Sequence, residues 1–402
     1  MKNIYEGAML PLMTYGAPVW EEAASITRNL NKLQRVQRLI NIKISKAYRT
    51  VSFETSCVLA GVPPIGIVIE ERARLYKITH NTEQGEFECE QPQQVKEWPH
   101  PALRPTFMEP QESMQYSKVI FTDGSKTGDK VGAGAAIYVN QEVTKRCKYK
   151  LGSCCTNNQA EQFAILKSLE ELSFLPDHKD RTVAIYTDSQ VTLDSLRNNS
   201  IHTPIIAEIR EKVQQLTTQN WTIHFGWVKS HTGIEGNELA DRLAKEAAAD
   251  ADELKVEYRK TTKSTIATEL KKEGIAKWQR QWESTNKGAL CRSFLPSVEQ
   301  RLQSNLPISP EFTAIVTGHG KTKSYLHRFG FLDNQTCPCN GGDQTPEHLI
   351  YYCNFLETQR DVMKQTIQKS GGIWPTTNEE LITKYLGPFT TFVNSTDFNI
   401  LM

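Results

Sequence analysis

Between Lys118 and Ala249 the hydrophobic period switches repeatedly between two and 3.6 residues, and few folds accommodate such a pattern. Lys118–Thr122 alternates as a strand does. Gly132–Leu151 reads as two more strands with a turn near Asn140. Then come a helix over Asn157–Phe174, a strand over Thr182–Thr187 and a helix over Pro204–Thr217. A strand over Trp221–Val228 and an alanine-rich helix over Gly236–Ala249 close the series. Strands lead, and then strands and helices alternate. That order predicts an α/β domain over 117–250, a mixed five-stranded sheet with helices on its faces.

The rest of the 402 residues exceeds what one such domain holds. Residues 1–80 read as a helical segment. The prolines and glutamates of 81–116 destroy any period and mark a linker. A polar helical connector spans 251–300, with Trp278 and Trp282 on one face as a core anchor. A cysteine-rich region spans 301–370, and a tail 371–402. Lys+Arg 47 against Asp+Glu 46 leaves a charge of +1, which excludes a uniformly basic coat for nucleic acid. The longest acid-free basic tract is Arg28–Arg49, with apolar Leu30, Leu33, Val36 and Ile40 at helical spacing. It is either a solvated helix face or a phosphate-facing one. No run of 18 apolar residues occurs, so no membrane contact is expected. Glu6, Pro11, Thr14 and Tyr15 interrupt the apolar N-terminus, so no secretory signal is expected either. Nine cysteines, three of them crowded between 337 and 353, suit a reducing compartment, nuclear or cytoplasmic.

Four carboxylates stand where apolar residues belong. Asp123 ends the first strand on the face of Val119 and Phe121. Asp188 ends another on the face of Ala184 and Tyr186. Glu161 begins a helix on the stripe of Ile165, Leu169 and Leu172, and Asp241 shares a helix face with Ala244 and Ala248. Any one of them reads easily as a cap or turn former. Four buried together would repel unless cations fill the gap. Oxygen-only ligands of this kind suit Mg²⁺ or Mn²⁺, and two such ions form the arrangement that cuts phosphodiesters.

The surrounding residues carry a resemblance. They are Phe121-Thr122-Asp123-Gly124-Ser125, Thr156-Asn157-Asn158-Gln159-Ala160-Glu161, Tyr186-Thr187-Asp188-Ser189-Gln190 and the stretch from His231 to Asp241. Together they resemble type 1 ribonuclease H. The resemblance implies an endonuclease acting on the RNA strand of an RNA–DNA hybrid with two Mg²⁺ or Mn²⁺ ions. Asp123 would bridge both ions. Asp241 would help hold the ion that activates water, and Glu161 and Asp188 the ion on the leaving-group side. Glu161 would also sense the RNA 2′-hydroxyl. His231, flanked in its loop by Gly233 and Gly236, would assist proton transfer or product release. Gly124, Ser125, Asn157, Asn158, Gln190 and Asn237 match positions that contact the hybrid or order the site. One departure stands out. Bacterial members carry a basic protrusion, yet here Leu196–Ile206 holds only Arg197 as a base. Hybrid affinity would then rest on Lys145, Arg146, Lys148 and Lys150, or on other domains.

The flanks extend the resemblance. Tyr15-Gly16-Ala17-Pro18-Val19-Trp20, Ala47-Tyr48-Arg49-Thr50-Val51-Ser52 and Ala60-Gly61-Val62-Pro63-Pro64 resemble the segment after the polymerase palm of insect-type non-LTR retrotransposon reverse transcriptases. Gly318-His319-Gly320 and Tyr325-Leu326-His327-Arg328-Phe329-Gly330 resemble the region after their ribonuclease H. A polymerase needs an Asp-Asp pair, and none occurs in the chain, so a polyprotein part beginning at an internal Met and making no DNA is expected. Cys337, Cys339, His348 and Cys353 offer a Cys₃His set for structural Zn²⁺, with a Cys-Pro-Cys turn as a tight knuckle. The alternative is three free cysteines near a surface histidine. Two other functions stay open: an idle nucleic-acid-binding remnant, and an RNA-packaging module built on the knuckle and the basic helix.

Overall fold

The computed structural model describes residues 1–80, 88–91, 100, 105–111, 113–174, 180–201, 203–250 and 254–396. They form two compact units, Lys77–Thr268 and the discontinuous pair Met1–Tyr76 with Glu269–Met402. No single helix among the described residues is long and apolar enough to cross a membrane.

The Lys77–Thr268 unit is built on a mixed sheet. β1 (Lys118–Thr127), β2 (Lys130–Val139) and β3 (Glu142–Leu151) form an antiparallel meander. β4 (Thr182–Thr187) joins β1 in parallel, and β5 (Thr222–Trp227) joins β4. The β2–β3 turn falls at Asn140 and Gln141, with φ of 50° and 71°, the left-handed pair that matches the twist of a hairpin. A sixth strand, β6 (Val256–Tyr258), pairs with β3 and gives the order β5-β4-β1-β2-β3-β6. It lies in the stretch read as helical, where three residues are too few to show a period. β1 also runs past its expected end, because Gly124–Thr127 pairs with Lys130–Ala133 across the hairpin. Asp123 therefore sits inside a strand rather than at its tip.

Ile120, Val183, Ile185 and Phe225 of the sheet meet Phe163, Leu166, Leu169, Ile206 and Ile209 of the covering helices in one core. Each such side chain contributes about 1.5–3 kcal/mol when fully buried. Most of the expected linker lies outside the described residues. Its described ends are pinned. Phe225 N–H donates to Met108 O at 2.8 Å, which covers the free edge of β5. Glu90 accepts hydrogen bonds from Gln159 and from Tyr258 (2.7 Å).

In the other unit, segments read as separate share one core. Val58, Leu59 and Ile67 pack with Trp278, Trp282, Phe294, Phe312, Leu349, Phe389 and Val393. Trp278 and Trp282 are 2% and 1% exposed, and the Trp282 indole N–H donates to Leu295 O at 2.8 Å. No one of these short helices buries enough apolar surface alone, so they pool it. The basic helix Thr27–Ser45 departs from its expected stripe, because Val36 is exposed and Gln37 is buried. The Gln37 amide donates to Tyr5 OH and Pro63 O and accepts from Ile65 N–H, all at 2.8 Å, which makes its burial tolerable. Arg38 is not a free phosphate ligand, since its guanidinium holds Val51 O at 2.9 and 2.6 Å.

Candidate active site

Three of the four carboxylates meet directly. Asp123, Glu161 and Asp188 each offer an oxygen within 4.8 Å of the others. Asp123 comes from the middle of β1, Asp188 from the end of β4, and β1 and β4 are parallel neighbours. The two acids thus share one face, with Phe121 and Tyr186 stacked behind them at 5.4 Å. Glu161 arrives on the helix Asn157–Glu171, which Thr156 and Gln159 start with a reciprocal capping box. Gly124 lets that helix come close, because a Cβ there would sit 2.5 Å from Glu161 N. Gly134 does the same for the helix Glu235–Ala249, where a Cβ would lie 2.4 Å from Ala240 O.

Asp241, next to Ala240, joins a second group. It, Glu238 and His231 bring ligand atoms within 4.8 Å of one another. Its charge still acts on Asp123 and Asp188. Lys245, one turn on, donates to Asp241 at 2.7 Å, and that contact holds the lysine above its ordinary value.

The electrostatics show a deficit of positive charge. Burial first, then Asp188, push Asp123 up to about 8 despite a 2.6 Å hydrogen bond from Gly124 N–H. Burial likewise raises Glu161 and Asp188. Glu161 is steadied by Ser189 and by Asn157, whose amide donates at 2.7 Å, and Asp188 by Asn237. Asn237 is 3% exposed, and its Oδ1 has no partner. Buried, charge-starved oxygens with one acceptor unmet are a donor set that fits hard divalent cations.

His231 lies exposed in its loop with φ of 55°. Ser125 is half-buried on β1, and Asn158 and Gln190 are exposed. Gln190 lines a groove of about 410 Å³ with Tyr186, Arg197 and Trp227. Sequence reasoning missed Ser189, Glu238 and Lys245. The spacing of Lys245 from Asp241, four residues on a helix, was the available signal. Of the bases expected to serve the hybrid, Lys145 pairs with Glu171 and Lys148 with Glu246 at 3.5 Å, while Arg197, the lone base where bacterial members carry a protrusion, pairs with Glu109 at 2.7 Å. Exposed pairs of this kind are weak enough to exchange for phosphate.

In the other unit the Cys₃His set also assembles. Cys337, Cys339, His348 and Cys353 bring their ligand atoms within 4.8 Å. Cys337 Sγ lies 3.7 Å from Cys353 Sγ, and Cys339 Sγ lies 3.2 Å from His348 Nε2. The turn closes through Cys337 N–H to Gly342 O at 2.8 Å, and Thr345 caps the helix Pro346–Tyr351 that carries His348. Burial pushes the Cys339 thiol up. The amides of Gly341 and Asn354, with Cys337 and His348, outweigh it and bring it down to about 6. A thiolate beside an imidazole and two more thiols fits zinc.

The family model described as RNase H matches residues 115–249. The chain is 31% identical over 145 residues to a ribonuclease H of Francisella tularensis subsp. novicida, covering 33% of this chain and 91% of that protein. It is 26% identical over 204 residues to a retrovirus-related Pol polyprotein from type-1 retrotransposable element R1 of Popillia japonica, covering 50% and 77%. Among solved structures, the N-terminal RNase H domain of a Mycobacterium tuberculosis protein, fused to maltose binding protein, is similar. It is 27% identical, covers 33% of this chain and 92% of that one, and has a TM-score of 0.28. The chain spans only 9% of the matching R1 Pol polyprotein of Bradysia coprophila and 10% of the Pol polyprotein of equine infectious anemia virus. Through the domain that contains Asp123, Glu161, Asp188 and Asp241, this chain belongs to the ribonuclease H family.

Proposed function

We propose that the chain is an endonuclease that hydrolyses the RNA strand of RNA–DNA hybrids by two-metal-ion catalysis, as a segment of a retroelement Pol polyprotein. The observation that carries this reading is the meeting of Asp123, Glu161 and Asp188 inside one family domain, with Asp123 pushed up to about 8. Two Mg²⁺ or Mn²⁺ ions would supply the positive charge that activates water and offsets charge developing on the scissile phosphate. Asp123 would help hold both ions, Asp241 the one on the water side, and Glu161 and Asp188 the one on the leaving-group side.

The remaining residues orient and trim this set. Asn157 and Ser189 hold the Glu161 carboxylate in place, which aims it at a 2′-hydroxyl that DNA lacks. Asn237 orders Asp188. His231, exposed near Asp241, moves a proton or helps release product. Gly124 and Ser125 on β1, and exposed Asn158 and Gln190, form the wall that meets the hybrid. With no Asp-Asp pair, we assign the chain no DNA synthesis. Cys337, Cys339, His348 and Cys353 would hold a structural zinc ion that staples their turn.

Incubation with an end-labelled hybrid tests the reading. Cleavage of the RNA strand with Mg²⁺, and none without it, is the expected result. Tight binding with no turnover overturns it in favour of an idle nucleic-acid-binding remnant.

A further inference from the structure

Two stretches of the chain, Ala23–Phe53 and Phe312–Leu332, contain no acidic residue. They are far apart in sequence, and the tertiary structure joins them. The Thr50 hydroxyl lies 2.9 Å from His319 Nδ1 and 2.6 Å from the Tyr325 hydroxyl. Rings gather around this junction. The Tyr325 ring is 6.4 Å from Tyr48, 5.3 Å from His319 and 4.8 Å from Phe329. The Arg328 guanidinium lies 5.1 Å from the Phe329 ring centre and 5.6 Å from that of Tyr325.

The cluster combines a buried support with exposed rings. Here Tyr325 is the buried support at 6% exposed, while Tyr48 and Phe329 are 36% and 46% exposed. Arg49 and Arg328 are exposed beside them. Tyr48 is also held in position, since a Cβ on Gly320 would meet its ring at 2.0 Å. Burial, then Arg328, hold His319 below its ordinary value.

Flat, exposed, pre-positioned rings interleaved with guanidinium groups match one class of partner. Unpaired bases present π-faces to stack on, and their phosphates pair with arginine. A duplex hides those faces. We infer that the patch of Tyr48, Arg49, Arg328 and Phe329 binds single-stranded DNA, the strand left unpaired once the RNA of a hybrid is hydrolysed. The choice of DNA rests on the activity proposed above.

Fluorescence anisotropy of a labelled single-stranded DNA, with the full chain and no added divalent ions, tests this. Phe329→Ala should weaken binding roughly five- to a hundredfold. Phe329→Trp should keep it, and Phe329→Leu, which preserves apolar bulk but no π-face, should be as weak as alanine. Arg328→Ala should lower the log–log salt slope by about 0.7, whereas Phe329→Ala leaves it unchanged. Circular dichroism confirms that the variants fold. Equal affinity for duplex DNA, tighter affinity for RNA of the same sequence, or unchanged binding by Phe329→Ala overturns the inference. Hybrid cleavage is scored in parallel, so a protein that binds as expected and cuts nothing overturns the nuclease reading alone.

Discussion

Replacing Asp123 with asparagine removes a carboxyl whose ionisation the ion-free fold suppresses at a cost. The carboxyl is pushed from an ordinary 3.8 to about 8, by burial and by Asp188. Each tenfold change in acidity is worth about 1.4 kcal/mol, so at pH 7 the fold keeps Asp123 protonated, at a cost of up to about 4 kcal/mol relative to the unfolded chain, where it is ionised. Asp123 is only 7% exposed, so water screens little of this. Asparagine keeps the shape and needs no proton to stay neutral. Relaxation of the cluster trims the gain, and about 1–3 kcal/mol should be measurable. The sign follows from the direction of the shift. A carboxyl raised in the fold contributes stability that is present below its unfolded value of 3.8 and lost as pH rises through about 8. Urea unfolding between about pH 5 and about pH 9 without divalent ions is the assay. Wild type should weaken as pH rises, and Asp123→Asn should be more stable with a flatter profile. Magnesium should stabilise wild type more than the variant, because it binds the ionised site. The variant should cut no hybrid. An Asp123→Asn protein less stable than wild type at neutral pH refutes the crowded-charge account, and one that cleaves within about tenfold of wild type refutes the role given to Asp123.

Purified protein should contain about one zinc ion per chain, and Cys339→Ser should release it, loosen the turn around 337–353 and spare hybrid cleavage. Zinc-free protein with an unchanged melting curve would remove the structural-ion reading. Gly124→Ala forces a Cβ to within 2.5 Å of Glu161 N, so it should cost about 1–3 kcal/mol and depress cleavage by displacing Glu161; normal stability and rate would falsify the close-approach argument. Neutralising Lys32 and Arg35, both exposed, should lower the salt slope of hybrid binding by roughly one to two. Arg38→Ala should instead destabilise the fold, because it leaves the Val51 carbonyl without its donor. An unchanged slope for the pair marks that helix as merely solvated.

The β-strand and helix order of the family domain, and the carboxylates on it, were legible because both are local patterns. Two-residue alternation through Val119, Phe121 and Asp123 puts the acid on a face, and the structure finds Phe121 on that face packed beneath Gly236. The Cys₃His set was legible for the same reason, since its ligand types announce themselves within seventeen residues, 337–353. What resisted reading was short or distant. β6 is three residues long. Gln37 is polar yet fully buried, because its amide partners Tyr5, Pro63 and Ile65 come from elsewhere in the chain. Arg38, within the basic tract left open between a solvated and a phosphate-facing face, holds a loop through Val51 O.

Local pattern marks Asp123, Glu161, Asp188 and Asp241 as acids on otherwise apolar faces of their own elements. Backbone period and ligand type are written residue by residue. That Asp123, Glu161 and Asp188 form one cluster, while Asp241 also keeps company with His231 and Glu238, follows from tertiary packing. It alone decided that Met1–Tyr76 completes a core with Glu269–Met402, and that Thr50 meets His319 and Tyr325. Those outcomes depend on which apolar surfaces bury one another across hundreds of residues. No local pattern encodes that choice, because many pairings bury similar area and only packing of the whole chain selects among them.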